Sequence, residues 1–430
     1  MQSERAQADE HRPARFADAL SNPEFRSLYA ASVLSWIGDY TARAAVTALV
    51  FQQTGSVLWS AAAFAITYAP YLLGGPLLVA IAERYPYRRV MVACDIARML
   101  LMAAVALLEL PLPIVLALLL LSALFAPPFD AARSATLPAV LTGDRYVVGV
   151  ALVSATTQPV QVVGYLTGAA IATADPETAI LVNAITFGIS ALLVRFGVSW
   201  RPGALTPDRR THLVRETADG FRLVFGTPVL RGIILVVFCG SLFAIVPEGL
   251  GAAWAHAIDT DGDPGLAQGW IMAAVPLGAI VGALTISRLV APATRRRLFK
   301  PLAIAAPLAL VPSLLNPPAE VVAILAGVCG FAVGGFFPLA NAEFVTHLPA
   351  DFRARAFGVV QGGLQLLQGG AVLATGLLAR YLHVSTAVGL WSLAGTVLML
   401  LLVRTGPSAA PVMPAPRSPS DGPAPGTMDT

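Results

Sequence analysis

Charged residues are scarce in this sequence. Asp, Glu, Lys and Arg make up 12% of the 430 residues, whereas soluble globular domains carry roughly 25%. Hydrophobic residues reach 56%, and a chain this apolar needs lipid as its solvent. The shortage of charge therefore excludes an ordinary water-soluble protein. The net charge of only +3 is too small to indicate nucleic acid, so we expect no nucleic-acid partner.

Residues and motifs for catalysis are also lacking. The cysteines, Cys94, Cys239 and Cys329, lie in apolar runs without the spacing of a disulfide or a metal site, and we interpret them as small core residues. The five histidines are scattered, and no GxxxxGK[ST] phosphate-binding loop is present. We expect no cofactor, no metal and no enzymatic activity. Energy for any transport must then come from an ion gradient.

No cleavable signal peptide is evident at the N-terminus. The first apolar run begins near Leu28, after a polar tail, and it contains Asp39 and Arg43. The apolar region of a signal peptide is shorter and uncharged. The run is therefore predicted to be a retained membrane helix.

Apolar runs long enough to cross a bilayer recur along the chain. A spanning helix needs about 20 apolar residues, and breaks rich in Gly, Pro and Asn separate twelve such runs. The sequence therefore predicts an all-α membrane protein with twelve transmembrane helices. The predicted spans are 28–51, 57–82, 90–108, 113–133, 147–173, 177–196, 230–255, 266–290, 298–315, 319–345, 355–381 and 384–403.

The basic residues predict the orientation of these spans. Lys and Arg concentrate in cytoplasmic loops of membrane proteins. With the N-terminus inside, all of the 28 Lys and Arg residues except Arg43, Arg98 and Arg380 fall on the cytoplasmic side. We therefore expect a multi-pass protein of the bacterial plasma (inner) membrane, with both termini in the cytoplasm.

The two halves of the chain resemble each other. Four short matches recur in order, about 205–211 residues apart, which predicts six helices duplicated in parallel. The matches are Asn22-Pro23 with Thr227-Pro228, Arg88-Arg89 with Arg296-Arg297, Leu137-Pro138 with Leu348-Pro349, and Gln158 and Gln161 with Gln365 and Gln368. The predicted organisation is a cytoplasmic tail (1–27), a six-helix bundle (28–196), a cytoplasmic connector (197–229) with a surface helix at Leu213–Phe225, a second bundle (230–404) and a disordered tail (405–430).

Several stretches carry a family resemblance. They are NPEFRSLY from Asn22, AERYPYRRVMVACDIARML from Ala82, FAPPFDAARSATLPAVL from Phe125 and RARAFGVVQGG from Arg353. Together they resemble the major facilitator superfamily, in particular the bacterial exporter branch that includes the enterobactin exporter and multidrug efflux proteins. The resemblance implies two six-helix bundles that rock about a central site. The chain departs from the family pattern at Glu83, where Asp is usual, and at Tyr165, which replaces the proline of the antiporter motif.

Charged residues within the predicted spans are candidates for coupling. Asp39 lies roughly 16 Å into the first span, near the bilayer midplane, and Arg43 follows one turn later. A midplane charge costs at least about 2.5–3.5 kcal/mol, so it needs a function or a partner. Asp39 and Arg43 are either a site for a proton or a charged substrate, or an ion pair that fixes the first helix.

Glu248, in the seventh span, occupies the repeat position of Arg43 and has no cation nearby in sequence. A buried carboxylate without a partner is suited to carrying a proton. The alternatives are an interfacial glutamate or a partner of Arg43 across the bundles. The candidates for proton coupling are Asp39, Arg43 and Glu248.

The family resemblance also implies a cytoplasmic gate built from ion pairs. Its members would come from the loop after the second span and the inner half of the third, although ordinary anchoring at the membrane interface is the alternative. The candidate gate residues are Glu83, Arg84, Arg88, Arg89, Asp95 and Arg98.

Glutamines at helical spacing in the fifth and eleventh spans favour a polar cavity. Neutral amides form hydrogen bonds without the desolvation cost of a charge, although they also serve as hydrogen bonds between helices. Aromatic residues in the first two spans would supply apolar walls or simple packing. The candidate cavity residues are Trp36, Tyr40, Tyr68, Gln158, Gln161, Gln361, Gln365 and Gln368.

These features predict a secondary transporter. The favoured function is export of an amphipathic small molecule (a drug, siderophore or secondary metabolite) by alternating access and proton antiport, with a monomer in the bilayer. Import or facilitated diffusion of a metabolite is an alternative. A non-transporting receptor or scaffold on the same fold is a second one, but midplane charges bring no benefit to a scaffold.

Overall fold

The computed structural model describes residues 14–70, 84–201, 213–258, 263–349 and 353–405. Within these ranges the regular structure is helical, without strands. Short 3₁₀ segments follow α3 (Ile66–Tyr68) and α13 (Val311–Leu315). The helices are α1 (Phe16–Leu20), α2 (Pro23–Thr54), α3 (Val57–Ala65), α4 (Tyr87–Leu107), α5 (Leu112–Leu124), α6 (Ala126–Val140), α7 (Gly143–Ala174), α8 (Pro176–Gly197), α9 (Leu213–Gly226), α10 (Pro228–Ala244), α11 (Val246–Ile258), α12 (Pro264–Leu289), α13 (Pro292–Leu308), α14 (Ala319–Thr346), α15 (Arg353–Leu378) and α16 (Val384–Thr405).

Several helices start at a polar cap followed by proline. The side chains of Asn22, Asp175 and Asp263 each accept hydrogen bonds from two backbone N–H groups of the first turn. Proline occupies the next position in each case, where its missing N–H costs nothing. These Asx-Pro pairs explain why α2, α8 and α12 begin where they do.

The all-α fold predicted from the sequence is confirmed. Ten of the described helices or helix pairs are long and apolar enough to cross a membrane. With α2 and α3 they occupy all twelve predicted positions, although residues 71–83 of the second predicted span lie outside the described residues. The helix α9 spans the same residues as the surface helix predicted in the connector. Both predicted tails lie mostly outside the described ranges.

Two predicted spans are interrupted rather than continuous. The fourth is interrupted at Phe125, between α5 and α6, two residues before the Pro127-Pro128 pair. The seventh bends at Ile245, between α10 and α11, two residues before Pro247. Proline removes a backbone N–H and crowds the preceding turn, so each break lies where the sequence cannot continue a regular helix.

Glycine allows very close packing in the C-terminal bundle. α12 has its most extensive contact with α14, and glycines from both helices lie against the partner's backbone. A methyl group added at Gly334 would lie 2.6 Å from the Cα of Ala279, and one added at Gly330 would lie 2.8 Å from the Cα of Val275. No side chain fits there, so the two helices move as one unit.

The two bundles meet at one end of the molecule, which we call the contact end and which carries Thr54, Ile258 and Pro264. The side chain of Gln268 in α12 donates to the carbonyl oxygen of Ala44 in α2 at 2.7 Å. The ring centres of Phe51 and His256 lie 5.0 Å apart. Gly376 of α15 packs against Ala61 of α3. The opposite end, which we call the terminal end, carries the N-termini of α2 and α10.

The start of α2 is tied to the connector by a half-buried ion pair. Glu24 accepts hydrogen bonds from both terminal nitrogens of Arg201, from Nη2 at 2.9 Å, and from the backbone N–H of Ser199 at 2.9 Å. Burial raises the pKa of the Glu24 carboxyl, but the bonds from Arg201 and Ser199 outweigh it, so the pKa is lower than usual. The ion pair with Arg201 and the hydrogen bond from Ser199 therefore persist as long as Glu24 is ionised.

We expect Glu24→Gln to lower the thermal stability of purified protein at pH 7 by no more than about 1 kcal/mol. The wild type should be more stable than the variant at pH values above the ordinary glutamate pKa. This difference in stability should disappear as the pH falls through the lowered pKa of Glu24. Melting curves of both proteins from pH 7 to pH 3 test this. A stability difference between wild type and variant that grows at acid pH would contradict this prediction.

Candidate functional site

Two polar clusters lie within the apolar helices. The first, which we call the interface cluster, comprises Glu248, Gln161, Tyr165 and Arg43 and joins the two bundles. The second, which we call the buried triad, comprises Asp39, Asp95 and Arg98 and lies within the N-terminal bundle.

Glu248 is at the centre of the interface cluster. It lies in the first turn of α11, just after the break at Ile245, and only 5% of its surface is exposed. Helix N-termini carry a partial positive charge, which favours a carboxylate at this position. The break in the seventh span thus places a carboxylate at the boundary between the bundles.

The opposite bundle supplies the partners of Glu248. Gln161 Nε2 and the Tyr165 hydroxyl, both on α7, donate to the same oxygen of Glu248, each at 2.7 Å. Tyr165 is fully buried and Gln161 is 9% exposed. Hydrogen bonds to an ionised acceptor are about twice as strong as neutral ones. The two bonds therefore hold the bundles together most strongly when Glu248 is ionised.

Arg43 completes the interface cluster through its charge. Its guanidinium carbon lies 5.1 Å from the centre of the Tyr40 ring and 5.8 Å from that of Tyr68. Arg43 also interacts electrostatically with Glu248 and Tyr165. Within the described residues Glu248 and Arg43 form no direct ion pair, so a partnership of the two across the bundles stays a prediction.

The expected ion pair between Asp39 and Arg43 is wrong. Asp39 instead pairs with Arg98 of α4, whose Nη2 lies 2.7 Å and 2.8 Å from the two carboxylate oxygens. The guanidinium of Arg98 lies 4.0 Å from the centre of the Phe187 ring. Arg43 turns toward Tyr40 and Tyr68 instead, because the two rings and the charge of Glu248 attract its guanidinium.

Asp95 brings a second carboxylate to Arg98. Asp95 is fully buried, accepts a hydrogen bond from Ser190 Oγ at 2.6 Å, and interacts electrostatically with Arg98 one turn later. Its other oxygen, Oδ1, has no hydrogen-bond partner among the described residues, and neither has Arg98 Nε. Two carboxylates thus share one buried cation.

Of the predicted gate residues that the structure describes, only Asp95 and Arg98 lie in one cluster. Asp95 and Arg98 belong to the buried triad, deeper in the bundle. The guanidinium of Arg88 donates to the carbonyl oxygen of Val198 at 3.1 Å, beyond the end of α8. Arg84 and Arg89 are exposed. Glu83 lies outside the described residues.

The predicted cavity glutamines separate into two groups. Gln161 bonds across the bundles, as the alternative interpretation required. Gln158, Gln361, Gln365 and Gln368 are exposed or half-buried and form no side-chain hydrogen bond within the described part of the chain. A role of these amides in a substrate cavity stays a prediction.

The predicted aromatic residues lie beside the arginines. Tyr40 and Tyr68 contact Arg43, and the Tyr40 ring also packs edge-on against Tyr165, with 5.3 Å between the ring centres. Trp36 lies beneath Arg133, whose guanidinium carbon is 4.9 Å from its ring. These rings thus pack against cations of their own bundle.

A cavity of about 80 Å³ connects the two clusters. Asp39 and Arg98 of the buried triad and Arg43 of the interface cluster all line it, together with Asn183. Arg43 and the Asp39–Arg98 pair therefore face the same small polar cavity.

Sequence reasoning missed Tyr165, Gln268 and Ser190 as site residues. Tyr165 had a detectable signal, because it follows Gln161 by one turn on the same helix face and a buried phenol usually finds a partner. Gln268 and Ser190 had no such signal. Their partners, Ala44 and Asp95, are remote in sequence and known only from the fold.

Curated relatives point to a function in transport. The chain is 27% identical to the "Multidrug efflux pump Tap" of Mycolicibacterium fortuitum over 359 residues, which cover 78% of this chain and 86% of the relative. It is 26% identical to the protein of the same name from Mycobacterium tuberculosis (strain H37Rv) over 388 residues, which cover 85% and 91%.

Solved structures share the fold. A POT family transporter in complex with a thioalcohol-conjugated peptide superposes with a TM-score of 0.69 at 12% identity, covering 88% of this chain and 95% of that one. The nucleoside transporter NupG (D323A mutant) gives 0.66 at 15% identity, covering 89% and 98%. A bacterial homologue of the iron transporter ferroportin in an inward-facing state gives 0.64 at 13% identity, covering 88% and 98%.

The family itself is shown by its sequence profile. The profile of the Major Facilitator Superfamily matches residues 28–254, more than half of the chain. The paired bundles, the broken seventh span and the charged residues between the bundles are consistent with that match. This chain therefore belongs to the Major Facilitator Superfamily and is a multi-pass membrane transporter rather than an enzyme.

Proposed function

We propose that this transporter exports amphipathic small molecules from the cell by alternating access, driven by proton antiport. The observation that carries the proposal is the buried Glu248 carboxylate, held by Gln161 and Tyr165 of the opposite bundle. The efflux function in the names of its curated relatives supports the direction and the class of substrate.

Protonation of Glu248 would change how the bundles meet. The ionised carboxylate accepts two charge-assisted hydrogen bonds and is attracted by Arg43. A proton on Glu248 removes the charge and weakens all three interactions at once. The state of one proton is thereby linked to the separation of the bundles, which alternating access requires.

The orientation follows from the charge distribution. Basic residues predict that the terminal end and both chain termini face the cytoplasm. The described contacts between bundles lie at the contact end, so this conformation would face the cytoplasm and be ready to take up substrate. Arg84, Arg88 and Arg89 would then lie at the cytoplasmic entrance.

Transport by everted membrane vesicles tests the proposal. Energised everted vesicles are acid inside, so a proton-coupled exporter should concentrate radiolabelled tetraphenylphosphonium or a radiolabelled fluoroquinolone within them. Nigericin in potassium buffer should abolish the accumulation, because it dissipates the pH gradient. Vesicles without the protein are the control. Accumulation of both compounds that persists with nigericin would refute proton antiport, and accumulation of neither would refute export of amphipathic molecules.

A further inference from the structure

A second cavity lies at the terminal end, away from the interface cluster. It has a volume of about 200 Å³ and lies between α2, α6 and α7. The α7 residues that line it, such as Tyr146 and Ser154, belong to the first half of that helix. Among the residues that line the cavity are Tyr29, Ser32, Arg133, Ser134, Tyr146 and Ser154.

Arg133 is incompletely satisfied in this cavity. Its Nη2 donates to Asp130 Oδ1 at 3.1 Å, but the Asp130 side chain is 40% exposed, and such a pair contributes little. Its Nε is buried and has no hydrogen-bond partner among the described residues. An unpaired buried donor on a cation is costly, so the geometry favours an acceptor from outside the protein.

The rest of the cavity suits the body of an amphipathic molecule. Tyr29 and Tyr146 supply aromatic surface, and Ser134 and Ser154 present exposed hydroxyls. Ser32 donates to its own helix, at the carbonyl oxygen of Leu28. Ligand sites commonly combine such apolar walls with a few fixed polar groups.

We propose that Arg133 and this cavity bind the carboxylate end of an exported amphipathic molecule, which makes Arg133 a specificity-determining residue. This inference rests on the proposed export function. Trp36 stacks beneath Arg133 and precedes Asp39 by one helical turn. The Trp36 ring therefore holds the guanidinium of Arg133 from one side.

Paired substrates test the proposal. In everted vesicles, Arg133→Gln should raise the KM for a zwitterionic fluoroquinolone by about tenfold, since it removes a hydrogen bond between two charged groups. The KM for its methyl ester and for tetraphenylphosphonium should stay unchanged. Arg133→Lys should recover part of the loss, and Arg195→Gln, at an exposed arginine ending α8, should change nothing.

Binding to purified protein separates this inference from the export function. Fluoroquinolone binding, followed by quenching of tryptophan fluorescence, should weaken about tenfold in Arg133→Gln while ester binding does not. Selective weakening without transport would leave the inference standing and refute export. Equal weakening for acid and ester, or no weakening for either, would overturn the role of Arg133.

Discussion

We expect Glu248→Gln to reduce proton-driven export to the level of vesicles that lack the protein. Glutamine has nearly the same shape, and its carbonyl oxygen can still accept weaker, uncharged hydrogen bonds from Tyr165 and Gln161, so the bundles can still close and reopen at the contact end. What is lost is the ability to gain and release a proton. Export against a gradient should stop, while exchange of labelled for unlabelled substrate across the membrane continues.

A matched substitution serves as the control. Glu320→Gln makes the same chemical change at an exposed position in the first turn of α14 and should leave export intact. Glu248→Asp should retain part of the activity, because it keeps the carboxylate but moves it away from Gln161 and Tyr165. Full proton-driven export by Glu248→Gln would show that another group carries the proton.

Loss of Arg98 should have the largest effect on folding. Arg98→Met leaves Asp39 and the fully buried Asp95 without the cation that they share. Removing one member of a buried ion pair typically costs about 3–5 kcal/mol, because an uncompensated charge remains. We expect little folded protein in the membrane and a markedly lower melting temperature in detergent-purified protein.

A double variant distinguishes charge from shape. Asp39→Asn combined with Arg98→Met removes one charge of each sign and should recover much of the stability lost in Arg98→Met alone. Arg195→Met removes an exposed arginine and should have almost no effect. If the double variant is as unstable as the single one, packing on Phe187 rather than charge explains the role of Arg98.

The fold was largely predictable because the physics of the bilayer is local in sequence. The length of the apolar runs predicts the spans. The positions of the arginines predict an orientation, which stays a prediction. Asx-Pro pairs such as Asn22-Pro23 account for helix starts. The breaks at Phe125 and Ile245 were harder to predict, because proline is common in membrane helices and does not always interrupt them.

The sequence singles out the charged members of the two polar clusters but not their pairings or their neutral partners. Asp39, Arg43, Glu248, Asp95 and Arg98 were all singled out, since charge in an apolar helix is conspicuous. Sequence spacing suggested that Asp39 pairs with Arg43, its neighbour on α2. Pairing depends on which helices pack together, and that information is nonlocal.

Tyr165 shows how one substitution can change the interpretation. Tyr165 stands where related antiporters have proline, so in sequence it departs from the antiporter pattern. In the structure its hydroxyl contacts the same carboxylate that is proposed to carry the proton.

The glycine-packed pair of α12 and α14 has a mechanical consequence. α12 has 26 residues and is therefore about 39 Å long. A tilt of about 15° around its midpoint would move each end by roughly 5 Å, in opposite directions. Gln268 lies near one end of this lever and Gly282 nearer the other. If α12 tilts as one piece with α14, the movement that breaks the Gln268–Ala44 bond also pushes the terminal end of the C-terminal bundle inward, so opening one side of the membrane closes the other.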